Sequence, residues 1–165
     1  MAHRRTSIAA LAALAIGVTA AGPAGAQTSH EGWPHIDGVL KINKDDGNDT
    51  TTGTRKSDEL LGGHGSDTIY GRGHADVLWG DYKPSGQGTG QVDHLYGGDG
   101  SDFIYASHGR NVIAAGAGSD TIHAHFGRGS IDCGGGRDTL FISHRSKPGY
   151  KISHCEKISF KTVGH

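Results

Sequence analysis

The sequence predicts an all-β solenoid built from nine-residue rows, and three observations carry that prediction. An acid recurs at one spacing: Asp49, Asp58, Asp67 and Asp76 stand nine apart, and after an interruption Asp93, Asp102, Asn111, Asp120, Gly129 and Asp138 continue the series. Two positions after each stand Thr51, Leu60, Ile69, Leu78, Leu95, Ile104, Ile113, Ile122, Ile131 and Leu140, so nine of the ten are Leu or Ile. The third is glycine, 29 of 165 residues, a density that costs backbone entropy and fits a chain that turns sharply at short intervals. One coil alone buries almost nothing, so stability must come from stacking.

The rows differ in quality. Gly62-Gly63-x-Gly65-x-Asp67 and Gly97-Gly98-x-Gly100-x-Asp102 are complete, Gly116-x-Gly118-x-Asp120 and Gly134-x-Gly136-x-Asp138 lack the first glycine, and Gly53-Thr54-Arg55-Lys56-Ser57-Asp58 is weak. Rows such as GGHGSDTIY and GGDGSDFIY resemble the glycine-rich nonapeptide of the repeats-in-toxin (RTX, hemolysin-type) calcium-binding family, over about Lys44 to Phe141. The endings IDCGGGRDTLF and HCEKISF more weakly resemble small secreted repeat proteins of actinobacteria. The family resemblance implies a right-handed parallel β-roll (β-solenoid), two rows to the coil, with N- and C-terminal cap strands added here from the flanking sequence.

Stacked turns would set Asp49 over Asp67 on one edge and Asp58 over Asp76 on the other. Two such charges repel by roughly 1 kcal/mol at about 4 Å in water, and by more in a drier site. A hard cation reverses that sign, because calcium takes about 6 to 8 oxygens and is served by paired carboxylates with turn carbonyls. The candidate calcium ligands are Asp49, Asp58, Asp67, Asp76, Asp93, Asp102, Asn111, Asp120 and Asp138. Several ions are expected, in unequal sites: Asn111 brings one charge fewer, and Gly129 brings no side chain. A single Asp would be better explained as a turn cap; eight in register with glycines are not.

Asp76 and Asp93 are 17 apart, one short of two rows, and GDYKPSGQ lies between them. The segment is expected to be a loop at 80–87 replacing one turn, which keeps Asp93 on the Asp76 edge and Asp102 on the Asp67 edge. An eight-residue bulge after one row is the competing phase and would swap those edges. Trp79, Tyr82 and Tyr96 near this loop are expected to close a flank rather than form a recognition patch. Most of the twelve histidines, among them His64, His74 and His108, sit at variable turn positions and read as solvated surface, while His123-x-His125 places two imidazoles on one strand face.

Residues 1–26 read as a secretory signal peptide, with Arg4-Arg5 before an apolar run and a small-x-small site ending at Ala26. Removing those two arginines leaves 14 Lys and Arg against 17 Asp and Glu, a formal charge near −3. No basic patch points to nucleic acid, and no membrane span is expected in the mature chain. Residues 27–43 read as a leader and cap strand, 44–141 as the repeat roll and 142–165 as a C-terminal cap. In that cap the acid register is expected to stop, with Lys147 in the next place and YKISHCEKISF as a capping strand. Cys133 and Cys155, expected outside the cell, are expected to form a disulfide.

No nucleophile, base and oxyanion set can be assembled, so no enzyme is expected. The expectation is a secreted, extracellular calcium-binding protein whose folding is coupled to the ion. The alternative is a disulfide-capped scaffold or adhesin with calcium as an accessory. A cell-envelope or other extracellular surface partner is possible under either.

Overall fold

A computed structural model describes residues 32–43, 46–82, 86 and 88–161; the expected signal peptide lies outside these. Among the described residues there are fourteen short strands: β1 Leu40–Ile42, β2 Thr50–Thr52, β3 Glu59–Leu61, β4 Thr68–Gly73, β5 Val77–Trp79, β6 Val92–Asp99, β7 Phe103–Tyr105, β8 Arg110–Gly118, β9 Thr121–Ala124, β10 Arg128–Asp132, β11 Gly135–Gly136, β12 Thr139–Ile142, β13 Tyr150–Ser153 and β14 Lys157–Ser159. The first sheet runs β1-β3-β5-β7-β9-β12-β14 and the second β2-β4-β6-β8-β10-β13, with β11 added beside β8. Every pairing is parallel. The chain alternates between two facing sheets, one coil per two rows, and forms the parallel β-roll.

The apolar residue of each row points between the sheets because strand side chains alternate faces. Leu60, Ile69, Leu78, Leu95, Ile104, Ile113, Ile122, Ile131 and Leu140 join in one buried core ladder. The residues after them decorate the outer faces. On the first sheet Trp79, Tyr105, His123 and Phe141 stack at 4.7, 4.7 and 5.0 Å between successive centroids, and Trp33 closes over Trp79 and Tyr105 with its indole N–H donating to the Tyr105 hydroxyl at 2.8 Å. Tyr96 stacks instead on Tyr70 of the second sheet at 4.9 Å. Trp79 and Tyr96 therefore close different flanks. His123, one of the two imidazoles expected on one strand face, is buried in this stack.

The interruption takes the competing phase. Ile69 pairs with Leu95 and Leu78 with Ile104, each 26 residues apart instead of 18. Asp93 therefore lies on the Asp67 edge and Asp102 on the Asp76 edge, opposite to the expected phase. The physical reason is that the turn opened by Gly80 is closed by Asp93: an ideal Cβ on Gly80 would lie 3.1 Å from the Asp93 carboxylate. Eight extra residues are accommodated in one turn, leaving the strands on either side in register.

The C-terminal segment also differs from a single capping strand. It makes one more coil, β13 on the second sheet and β14 on the first, joined to β12 through a short 3-10 turn at Lys147–Gly149. Cys133 and Cys155 form the expected disulfide.

Left-handed backbone recurs at the second and fourth turn positions, where Gly98, Gly116 and Gly134 and then Gly100, Gly118 and Gly136 stack with φ between 96° and 145°. In the row ending at Asp76 those places hold Arg72 (φ 88°) and His74 (φ 72°), while its glycines fall at 71 and 73. An L-residue there costs roughly 1 kcal/mol. Arg72→Gly and His74→Gly are each expected to stabilise the protein by about 1 kcal/mol, read as a rise in urea midpoint; a fall in both would show that side-chain contacts outweigh the backbone.

Candidate cation-binding edges

The aspartates form two ladders, one at each edge where turns stack. On the first edge every acid accepts a hydrogen bond from the backbone N–H of the preceding rung: Val39 to Asp58 at 2.6 Å, Asp58 to Asp76 at 2.7 Å, and Asp76 to Asp102, Asp102 to Asp120 and Asp120 to Asp138 at 2.8 Å. The ladder continues one rung past the expected ligands, since the Asp138 N–H donates to Glu156 Oε2 at 2.8 Å. Glu156 stands 18 residues after Asp138 with Ile158 two further on, so the register that located the other acids was its signal in the sequence. On the second edge Asp49 N–H donates to Asp67 at 2.9 Å and Asp67 N–H to Asp93 at 3.0 Å.

One carboxylate oxygen is thereby used in each rung, and the fate of the other separates the sites. The Oδ2 atoms of Asp76, Asp102, Asp120 and Asp138 are buried without a hydrogen-bond partner. Asp67 Oδ2 instead accepts from Gly63 N–H at 3.0 Å, and Asp58 Oδ2 from Thr54 N–H at 2.5 Å and the Thr54 hydroxyl at 3.0 Å. Asp93 Oδ2 accepts from the Ser107 hydroxyl. Asn111 is fully engaged: its Oδ1 accepts from Ser107 N–H at 3.0 Å and lies 2.8 Å from the oxygen of the Ser107 hydroxyl that serves Asp93, and its Nδ2 donates to the Ser107 carbonyl and the Tyr150 hydroxyl, both at 3.0 Å. Tyr150, opposite Gly129 in the ladder, donates in turn to the Phe126 carbonyl at 2.8 Å. Beyond Asp93 the second edge is thus closed by neutral hydrogen bonds.

A buried carboxylate with no counter-charge prefers to be neutral. Burial, and then the neighbouring aspartate charges, push Asp76 up to about 8 and Asp102 to about 7, against the opposing pull of their backbone hydrogen bonds. Burial likewise raises Asp67 and Asp120 to about 6, and raises Asp93 and Asp138. Asp132, outside the register, is different: it is pulled down by a 2.7 Å hydrogen bond with His154 at the surface.

The same rungs bring backbone oxygens to the carboxylates. A Cβ on Gly71 would lie 2.4 Å from Asp76 Oδ2 and 2.5 Å from the Gly97 carbonyl, and one on Gly97 would lie 2.3 Å from both Asp102 Oδ2 and the Ala115 carbonyl. Glycine leaves open a place where a carboxylate and the next coil's carbonyl converge. Among the described residues no three His, Cys, Asp or Glu side chains approach closely enough to hold a metal by themselves, so a cation here needs carboxylates with turn carbonyls. That donor set is all oxygen, which suits a hard ion such as calcium.

The RTX calcium-binding nonapeptide repeat profile matches residues 52–81, 87–122 and 107–140, just over half of the chain. The chain belongs to that family. The unmatched residues 82–86 fall in the enlarged turn, and Glu156 lies beyond the RTX match. RTX membership supports calcium binding by these turns. Comparison with curated proteins and with solved structures found no match. No helix among the described residues is long and apolar enough to cross a membrane.

Proposed function

We propose that this RTX protein is a secreted calcium-binding roll in which the ions complete the fold outside the cell. The observation that carries the reading is the row of buried Oδ2 atoms without a partner at Asp76, Asp102, Asp120 and Asp138. Bound calcium supplies positive charge between carboxylates that otherwise repel. Asp76 and Asp102 combine an open oxygen with a glycine cradle and are assigned the tightest sites. Asp120 and Asp138 follow, with Ala115 and Cys133 in the place of the cradle glycine. Asp49, Asp58 and Asp67 are assigned weaker ones, and Asp93 with Asn111 the weakest, because hydroxyl and amide groups already serve those oxygens. Each ion that binds only the folded chain adds stability, about 2.7 kcal/mol at 100 times its Kd.

The protein is read as a binder and not an enzyme, in keeping with a family whose repeats are structural. Secretion rests on the N-terminal leader and the disulfide, with 1–26 removed, 27–43 as leader and first strand, 44–141 as the repeat roll and 142–165 as the terminal coil. A second reading, a scaffold that calcium only tightens, is favoured by the Trp33-to-Phe141 ring stack and the Cys133–Cys155 bond, which need no ion. Calcium titration of the reduced mature protein, followed by far-ultraviolet circular dichroism, separates the two. Sheet signal that grows with calcium and not with magnesium supports ion-coupled folding; equal sheet content in chelator and in millimolar calcium would leave only the scaffold.

A further inference from the structure

The terminal coil carries an acid that the repeats do not account for. Glu156 lies outside the matched nonapeptides, yet its carboxylate meets the Asp138 N–H at 2.8 Å on the same edge as the other rungs. Asp138 is 1% exposed and its Oδ2 has no hydrogen-bond partner. The two acids are successive rungs of that edge, 18 residues apart. A buried acid oxygen without a donor, one rung from a second acid that is open to solvent, is an arrangement that a cation stabilises.

Besides β14, which begins at the next residue, a covalent bond lies beside Glu156. Cys155 precedes it, and Cys133 is the first residue of the turn that ends in Asp138. The coil has no regular row to position it: β13 is offset from β10 by 21 residues, whereas β14 returns to an offset of 18 from β12. The disulfide ties the short connection between β13 and β14, at Cys155, where the register is recovered, to the turn after β10, at Cys133.

We propose that Asp138 and Glu156 form a terminal site for a hard divalent cation, calcium in the extracellular setting, and that the Cys133–Cys155 disulfide is required to assemble it. The site is therefore conditional on oxidation, whereas the repeat sites are not. Reduction by a dithiol transfers two electrons and two protons to the disulfide, giving two cysteine thiols and the oxidised cyclic reagent; Glu156 is then tethered by β14 alone. This inference rests on the calcium reading of the repeats.

The test is calcium stoichiometry by equilibrium dialysis on the mature protein, oxidised and dithiol-reduced, for the wild type and Glu156→Gln. Oxidised wild type is expected to bind one ion more per chain than either reduced wild type or oxidised Glu156→Gln, and reduction of Glu156→Gln to remove nothing further. Glu156→Gln keeps the disulfide and an oxygen acceptor for the Asp138 N–H, so it remains informative even if reduction loosens the coil. Calcium-dependent slowing of Asp138 amide exchange, lost in Glu156→Gln, is the second readout. Equal stoichiometry in oxidised wild type and Glu156→Gln would overturn the site, and an ion lost on reduction of Glu156→Gln would overturn the gating. No calcium bound by any form would instead refute the reading of the repeats.

Discussion

In calcium-free buffer the roll is expected to keep its sheet signal near pH 4 and to lose it as the pH is raised to 8. The ladder acids titrate near 4 in an unfolded chain, but in the fold burial raises Asp67 and Asp120 to about 6, Asp102 to about 7 and Asp76 to about 8. A raised pKa means that the folded state binds these protons more tightly. Their contribution is greatest below pH 4, declines as the unfolded chain ionises, and is gone above pH 8. Calcium favours the ionised form and should invert the dependence, so the difference between calcium and calcium-free protein should be small at pH 4 and largest at pH 8. Circular dichroism against pH in the two buffers measures it. A calcium-free signal that is flat or rising between pH 4 and 8 would show that these carboxylates are not what opposes folding.

Asp102→Asn is expected to change stability in opposite directions with and without the ion. Asp102 sits between Asp76 and Asp120 in the ladder, wholly buried, and accepts the Asp76 N–H at 2.8 Å. Asparagine keeps that acceptor and removes a charge. The chain already shows how such a residue settles, since Asn111 turns its Nδ2 onto the Ser107 carbonyl at 3.0 Å. In calcium-free buffer at neutral pH the variant should therefore gain roughly 1 to 3 kcal/mol. In calcium it should lose affinity at its site, by about tenfold or more, for want of a charged ligand. Urea midpoints in both buffers and a calorimetric titration decide it; a midpoint that falls in calcium-free buffer would mean that the charge is tolerated and its hydrogen bonds alone matter.

The ladder and core were legible because the period is set by chemistry that repeats: an acid to satisfy the amide of the coil before it, an apolar residue two positions on to fill the core, glycine where the backbone turns left-handed. Leu60 to Leu140 fall where that rule places them. The phase at Gly80 was not legible, because a turn and an enlarged turn use the same glycines and only the pairing of Ile69 with Leu95 distinguishes them. Glu156 was hidden by the displaced coil before it, in which Tyr150 and not an acid takes the place beside Gly129. The closure of Asn111 depends on that same Tyr150, 39 residues away, a contact no local pattern encodes. Arg72 and His74 mislead in another way, since their row shows two glycines but sets them one place out of phase with the positive-φ positions.

The ladder's bonds all point one way, each amide served by an acid from the coil that follows it in the chain. The two ends of the roll are therefore not equivalent as places to begin or to stop. Losing the first coil strands only carboxylate oxygen, as at Asp58, which water can solvate. Losing the last strands the Asp138 amide in a buried turn, where an unmet donor is costly. A chain that emerges amino end first thus always has one coil waiting for its successor, and the structure closes only when the segment carrying Glu156 arrives. The ladder is directional, with the final coil as its latch.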